Sequence, residues 1–272
     1  MSENGSEAAG SDAVDQEVRG NVLVITINRP DARNAVNGDV AQGIEAAIDR
    51  LEESDELWMG VLAAAPSPGK GGTNTFCAGA DLKEINSGNA AALMTQRGGF
   101  GGLVYRDRRK PLIAAIDGLA TAGGCELALS CDLIVASTRA GFGLAEVKRN
   151  LVAGAGGLFR LPKVLPANVA VEAILTAAPV SAERAHGFGM VNRLTDEGGA
   201  LDGALELAEE ITANAPVAVW ASLGVARDAI RGDESALKSA TDAAFGQVLQ
   251  SEDTAEGLSA FIEKRPPHWK GR

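Results

Sequence analysis

Residues 110–146 read KPLIAAIDGLATAGGCELALSCDLIVASTRAGFGLAE, and the fold class turns on how this stretch is parsed. Leu112 to Ile116 is a short, almost purely apolar run ended by Asp117-Gly118, which suits a strand buried on both faces. Gly123-Gly124 then opens a helical pattern over Cys125 to Ser130. A second strand is expected over Asp132 to Ala136, followed by a turn at Arg139 to Gly143. Paired glycines at a helix start leave backbone N–H groups without intrahelical partners and let a ligand come close to the main chain. The helix dipole adds partial positive charge, so a negatively charged oxygen could sit there.

Two glutamates in the stretch invite a chemical reading. Glu126 stands in the first turn of the helix beside Leu127, Ala128 and Leu129. A carboxylate in such surroundings has its pKa raised by desolvation, as a general acid or base working near neutrality needs. The other reading is ordinary first-turn charge complementing the helix dipole. Glu146 follows twenty residues on, either as a second acid–base group or as a surface carboxylate near Lys148 and Arg149. Nucleotide binding fails as an explanation of the glycines. Gly118 and Gly123 have phosphate-loop spacing, but Gly124-Cys125 stands where Lys-Ser/Thr is required, and no G-x-G-x-x-G follows the strand. Cys125 at a helix N-terminus is open to two readings, an activated thiolate or a small buried residue.

At this point the residues resemble a family, the enoyl-CoA hydratase/isomerase or crotonase superfamily. The resemblance is carried by Gly118-Leu-Ala-Thr-Ala-Gly-Gly-Cys-Glu-Leu-Ala-Leu-Ser-Cys-Asp132 and by the earlier block Phe76-Cys-Ala-Gly-Ala-Asp-Leu-Lys-Glu84, and it runs from about Val22 to Arg272. It implies an α/β fold with a repeated ββα spiral core and a C-terminal helical domain. It also implies an oxyanion hole formed by the N–H groups of Ala80 and Gly123, with Glu126 and Glu146 as catalytic acids. Coenzyme A contacts are implied for Ala78, Ala80, Asp81, Leu82 and Lys83, and for Phe261 and Lys264 near the C-terminus. Where the family usually has prolines, Ala145 and Val152-Ala153 stand here, a departure that bears on loop shape and substrate choice. The segments Ser251 to Gly257 and Phe261 to Arg272 look most like the carnitinyl-CoA dehydratase branch.

The rest of the chain fits an α/β core. Val22 to Ile27 reads as a strand, Asn37 leads into an amphipathic helix with Val40, Ile44, Ala47, Ile48 and Leu51 on one stripe, and Trp58 to Ala65 reads as another buried strand. Such alternation predicts largely parallel pairing. Pro66 to Thr75 is a glycine-rich loop, and small residues at Ala78, Gly79 and Ala80 precede a helix start at Asp81. Asn86 to Arg109 has two readings, a wall of the acyl pocket by resemblance or a mobile surface helix and loop, and its glycines suggest mobility. Helices are expected over Ala167 to Leu175 and Ser181 to Phe188, then a strand over Met190 to Leu194. From Leu201 the pattern is helical: Leu201 to Ala213, Pro216 to Ile230, Glu234 to Gln250 and Thr254 to Lys264.

The expected organisation is a disordered acidic tail over 1–16, an α/β core over 17–200 and a helical C-terminal oligomerisation domain over 201–272. A hydrophobic content of 46% over 272 residues suffices for a sizeable core. A net charge of −11 argues against nucleic acid or an anionic membrane as the main partner. Three cysteines, an odd number, fit free thiols in a reducing cytoplasm. His186 and His268 are far apart and lack ligand spacing, so no metal site is expected. The activity implied by the resemblance is reversible hydration of a 2-enoyl-CoA to the 3-hydroxyacyl-CoA. It requires no cofactor beyond the coenzyme A of its substrate, and the assembly implied is a homotrimer or a dimer of trimers. Alternatives are a carnitinyl-CoA dehydratase, an enoyl-CoA isomerase, or a CoA-ester binding protein without chemistry.

Overall fold

The computed structural model describes residues 13–67, 74–149, 151–229 and 250–272. The chain enters through β1 (Val14–Arg19), paired antiparallel with β2 (Val22–Ile27). Ordered structure thus starts before Glu17, the boundary suggested by composition. Ala13 and Val14 are buried while Asp15 and Glu17 face solvent, so one apolar anchor suffices to hold an otherwise charged strand on the sheet edge. Next comes α1 (Gly38–Glu53), capped by the Asn37 side chain, which accepts from Val40 N at 3.0 Å. Its expected stripe of Val40, Ile44, Ala47, Ile48 and Leu51 is fully buried. Each large aliphatic side chain there contributes about 1.5–3 kcal/mol.

Three ββα units follow. The first is β3 (Met59–Ala64), β4 (Thr75–Cys77) and α2 (Leu82–Asn86). After the small hairpin β5 (Met94–Thr95) and β6 (Gly99–Phe100) comes the second unit, β7 (Leu112–Ile116), β8 (Leu119–Thr121) and α3 (Gly123–Ala128). The third is β9 (Leu133–Ser137), β10 (Gly141–Gly143) and α4 (Gly157–Val164). Each unit places its first strand in one sheet and its second in another. Then come α5 (Ala167–Thr176), β11 (Val180–Ser181), α6 (Ala182–Gly187), β12 (Arg193–Thr195), α7 (Ala200–Thr212), α8 (Pro216–Ala229) and α9 (Glu252–Glu263).

The larger sheet has the order β1-β2-β3-β7-β9-β12, parallel from β2 onward, and the smaller has β11-β10-β8-β4. In the smaller sheet β4, β8 and β10 run parallel, so their C-terminal ends lie side by side. This is the expected ββα spiral, and it is what assembles the site.

Several expectations need correction. Part of the expected turn at Arg139 to Gly143 is strand β10, because Phe142 needs burial and pairs with Ala120. α4 escaped the sequence pattern, since it begins at Gly157 just after Gly154 and Gly156 and carries Pro162 inside it. Asn86 to Arg109 is not a mobile surface segment: Phe100, Leu103 and Val104 are buried. Its glycines serve close packing instead; Gly102 has φ +69°, and a Cβ there would lie 2.1 Å from the Ala41 carbonyl oxygen.

The C-terminal part is helical where described, and the expected helix Glu234 to Gln250 lies outside the described residues apart from its last position. However, α7 is no separate layer, because Ala204 and Ala208 pack into the sheet face beside Val61, Ile113 and Val135. α8 is tied down through Trp220 Nε1, which donates to Trp58 O at 2.9 Å, and through Arg227, whose Nε meets Asp132 at 2.8 Å. Removing everything from Leu201 would therefore uncover the sheet and test folding rather than assembly. No helix among the described residues is long and apolar enough to cross a membrane.

Candidate active site

Three parallel strand ends deliver the candidate residues to one cavity of about 900 Å³. From β4 the chain runs through Ala78 to Lys83, from β8 into Ala122 and α3, and from β10 to Ala145 and Glu146. Ala78, Ala80, Asp81, Leu82, Lys83, Gly123, Glu126 and Glu146 all line this cavity. The structure thus brings together every candidate oxyanion, acid and coenzyme A-contact residue from this range, leaving Cys125 outside.

The two candidate oxyanion segments are neighbours because of Gly79, whose φ is +88°. A Cβ on Gly79 would stand 2.9 Å from Gly123 N and 3.0 Å from the Ala122 side chain, so only glycine lets the two backbones meet this closely. Val36 pins the first segment, donating to Gly79 O at 2.8 Å and accepting from Asp81 N at 2.8 Å. The N–H groups of Ala80 and Gly123 donate to no other group among the described residues. Ala122, which precedes the helix, is held at φ 51° and ψ −128°, a conformation that costs a non-glycine residue about 1–3 kcal/mol. Its N–H is anchored on Gly143 O at 2.8 Å, which ties this strained corner to β10.

The paired glycines have different tasks. A Cβ on Gly124 would come within 2.2 Å of Cys77 O, so this residue lets α3 sit directly on β4. Gly123 does not have a positive φ, and a Cβ there would strike the Phe100 ring at 2.5 Å. Phe100 itself lines the cavity, so the β5–β6 hairpin walls the space in front of Gly123.

Glu126 is buried, and its Oε1 accepts from Ala155 N at 2.8 Å and Gly157 N at 2.9 Å. Desolvation pushes its pKa above the ordinary glutamate value, partly countered by those two N–H groups and the Arg160 charge. Glu146 opens a 3₁₀ turn (Glu146–Arg149). Its Oε2 is buried and has no hydrogen-bond partner among the described residues. Burial raises its pKa as well, and the nearby Glu126 charge adds to the rise. Neither glutamate is a plain surface carboxylate. Cys125 is fully buried and its thiol is pushed up by burial, so the packing reading holds and the thiolate reading fails.

One candidate lies elsewhere. Lys264 is exposed and does not line this cavity. Phe261 belongs to α9, but its side chain is outside the described part. Asp81 lines the cavity with its carboxylate already engaged: it caps α2 by accepting from Lys83 N at 3.0 Å and pairs with Arg29 at 3.1 Å.

The residues not anticipated from sequence are chiefly cations and apolar wall groups. Arg29, Arg33 and Arg149 join Lys83 at the cavity, and Met94, Leu151 and Val152 contribute apolar surface. Arg29 and Arg33 sit in the turn after β2, whose path is set by Asn34. That buried side chain donates to Ala65 O and Thr75 O and accepts from Arg29 N. The only available signal was two arginines in one turn of an otherwise acidic chain.

Two free main-chain donors beside two desolvated carboxylates can hold a developing oxyanion while protons move on either side of it. Such an arrangement is suited to acid–base chemistry on a substrate that develops negative charge on oxygen. The chain belongs to the enoyl-CoA hydratase/isomerase family, the crotonases, whose profile matches residues 17–272. A carnitinyl-CoA dehydratase from Proteus mirabilis (strain HI4320) is 38% identical over 259 residues, covering 93% of this chain and 97% of the relative. The crystal structure of enoyl-CoA hydratase EchA1 from Mycobacterium marinum is similar at 45% identity and a TM-score of 0.88, covering 96% of this chain and 99% of that one. A carnitinyl-CoA hydratase structure from Mycobacterium avium is also 45% identical, with a TM-score of 0.75 and coverage of 96% and 99%.

Proposed function

We propose that this chain is an enoyl-CoA hydratase that adds water reversibly to a 2-enoyl-CoA, giving the 3-hydroxyacyl-CoA. The observation that carries the reading is the convergence of Ala80 N, Gly123 N, Glu126 and Glu146 on one cavity. As water adds at C3, negative charge moves to the thioester oxygen, where the two N–H groups hold the enolate. Donors of this kind are worth about 3 kcal/mol each. Glu126, oriented through Oε1, deprotonates the attacking water. Glu146, whose neutral form is favoured by burial and by the neighbouring carboxylate, delivers a proton to C2. The water oxygen ends on C3 and the proton from Glu146 on C2. Glu126 loses and Glu146 regains a proton through solvent as product leaves. An isomerase needs only a proton shuttle, so two glutamates at one cavity support hydration.

Carnitinyl-CoA dehydratase is the second reading, favoured by the names of the relatives at 37–38% identity. It requires a trimethylammonium chain, which proteins usually hold in an aromatic cage. Phe100 is the one aromatic among the described lining residues, and it packs at Gly123. This supports an uncharged acyl chain. Hydration of crotonyl-CoA compared with crotonobetainyl-CoA, with product identification, tests the choice: preferred turnover of the cationic ester would reverse it. Assembly into trimers is part of the proposal, supported by the exposed apolar side chains of Phe159, Val171 and Leu175 on α4 and α5. Light scattering that found only monomer across micromolar concentrations would remove that part.

A further inference from the structure

We propose that Arg160 is a positioning residue for the Glu126 carboxylate, acting through the backbone of residues 154–157. The inference rests on the reading of Glu126 as the group that orients and deprotonates water. Glu126 Oε1 is held by the N–H groups of Ala155 and Gly157, so the carboxylate is only as well placed as this short loop. The loop contains Gly154, Gly156 and Gly157, and its chain has little stiffness of its own. Gly156 sits at φ +99°.

Arg160 supplies what the loop lacks. Its Nη1 donates to Ala155 O at 3.1 Å and to Ser130 Oγ at 3.1 Å, and its Nη2 donates to Val104 O. Ser130 Oγ in turn donates to Glu126 O at 2.7 Å, on the helix that carries the carboxylate. One planar guanidinium therefore ties together the loop that holds Glu126, the end of the helix that carries it, and the hairpin segment that walls the cavity. The site is built around the fork: a Cβ on Gly156 would lie 2.3 Å from Nη1. The guanidinium also stands 5.7 Å from the Tyr105 ring centroid, and Tyr105 Oη donates to Gly154 O at 3.1 Å, clamping the loop from its other end. The charge on Arg160 favours ionised Glu126. Arg160 is absent from the cavity lining, so its effect on the reaction is indirect, through the groups it holds.

The test is steady-state hydration of crotonyl-CoA by the full chain and by Arg160→Gln, Arg160→Lys, Glu126→Gln and the Glu126→Gln/Arg160→Gln double variant. Misplacement of a reacting group by about 1 Å costs about 100-fold. Arg160→Gln is therefore expected to lower kcat by about 10- to 100-fold with KM within about twofold of the parent. In the Glu126→Gln background the same change should have little further effect, which a general loosening of the fold would not reproduce. Arg160→Lys keeps charge and stem but not the fork, and should fall between parent and Arg160→Gln. It decides the matter if Arg160→Gln does not fold: parent kcat in Arg160→Lys, or a loss matched by a rise in KM, overturns the inference. So does parent kcat in a folded Arg160→Gln, or an undiminished further loss in the double variant, while Glu126→Gln is impaired. Parent turnover by Glu126→Gln itself overturns the assigned role of Glu126, and the inference falls with it.

Discussion

Glu126 and Glu146 face the same cavity and both have raised pKa values, yet their surroundings differ in kind. Glu126 is locked into α3 with one oxygen fixed by two main-chain donors, and a further set of contacts holds those donors. Glu146 opens a single 3₁₀ turn, and its buried Oε2 has no partner among the described residues. A carboxylate that accepts two N–H bonds from a loop is oriented by them; Glu146, held mainly by burial and its neighbour's charge against only its own backbone N–H and Arg149, leans toward its protonated form. The contrast suits the proposed division of roles, Glu126 as base and Glu146 as acid.

The largest effects should come from removing either titratable group. Glu126→Gln and Glu146→Gln are each expected to lower hydration of crotonyl-CoA by about 10²–10⁴-fold while CoA-ester binding survives. A parent rate in either variant would strike that glutamate from the mechanism. Next in size is Gly123→Ala. Its backbone tolerates a methyl group, but the methyl meets the Phe100 ring rather than the thioester directly. Ring and donor must then move apart, and turnover is expected to drop by up to about 100-fold with a smaller change in thermal stability. Trimming the ring in Gly123→Ala/Phe100→Leu should recover part of the loss. Near-parent turnover in Gly123→Ala with a large fall in Tm would instead make Gly123 a structural turn residue.

The smallest effect separates the two acids by stability. A carboxyl group whose folded-state pKa is raised binds its proton more tightly in the native state. Its contribution is fully present below the unfolded glutamate pKa and is lost as pH rises through the folded value. Above its folded-state pKa each group, once ionised, weakens the fold, and glutamine removes that penalty. Glu146→Gln should melt at or above the parent at pH 7, and the advantage should vanish in acid. Glu126→Gln should gain less, because it gives up two charge-assisted hydrogen bonds. Thermal melts at pH 4 and 7 check the order, and a larger gain for Glu126→Gln would erase the distinction between the two settings.

Much of this was legible in the chain. The buried strands Val22–Ile27 and Leu112–Ile116, and the α1 stripe, follow from apolar pattern alone. The helix start at Gly123, with Glu126 in its first turn, follows from the paired glycines. Less legible was anything set by contacts distant in sequence. β10 is three residues long and exists because β8 offers it a partner. The glycines of 98–102 look like a flexible loop, since nothing local says that Ala41 and Leu127 press against them. Arg160 carries no motif of its own, and its meaning comes from carbonyls 5 and 56 residues away.

Gly79 and Gly124 bring main chain against main chain, and this has a consequence for how such a site can change. In the proposed reaction the dipoles that hold the substrate oxygen belong to peptide bonds and not to any side chain. Recoding Ala80 to another small residue would leave its N–H in place. Phe100, Met94, Leu151 and Val152, by contrast, line the cavity with apolar residues. The reaction is thereby insulated from most point substitutions while the choice of acyl group is exposed to them. A mutational library confined to those four positions should yield new substrates without having to reinvent the catalyst.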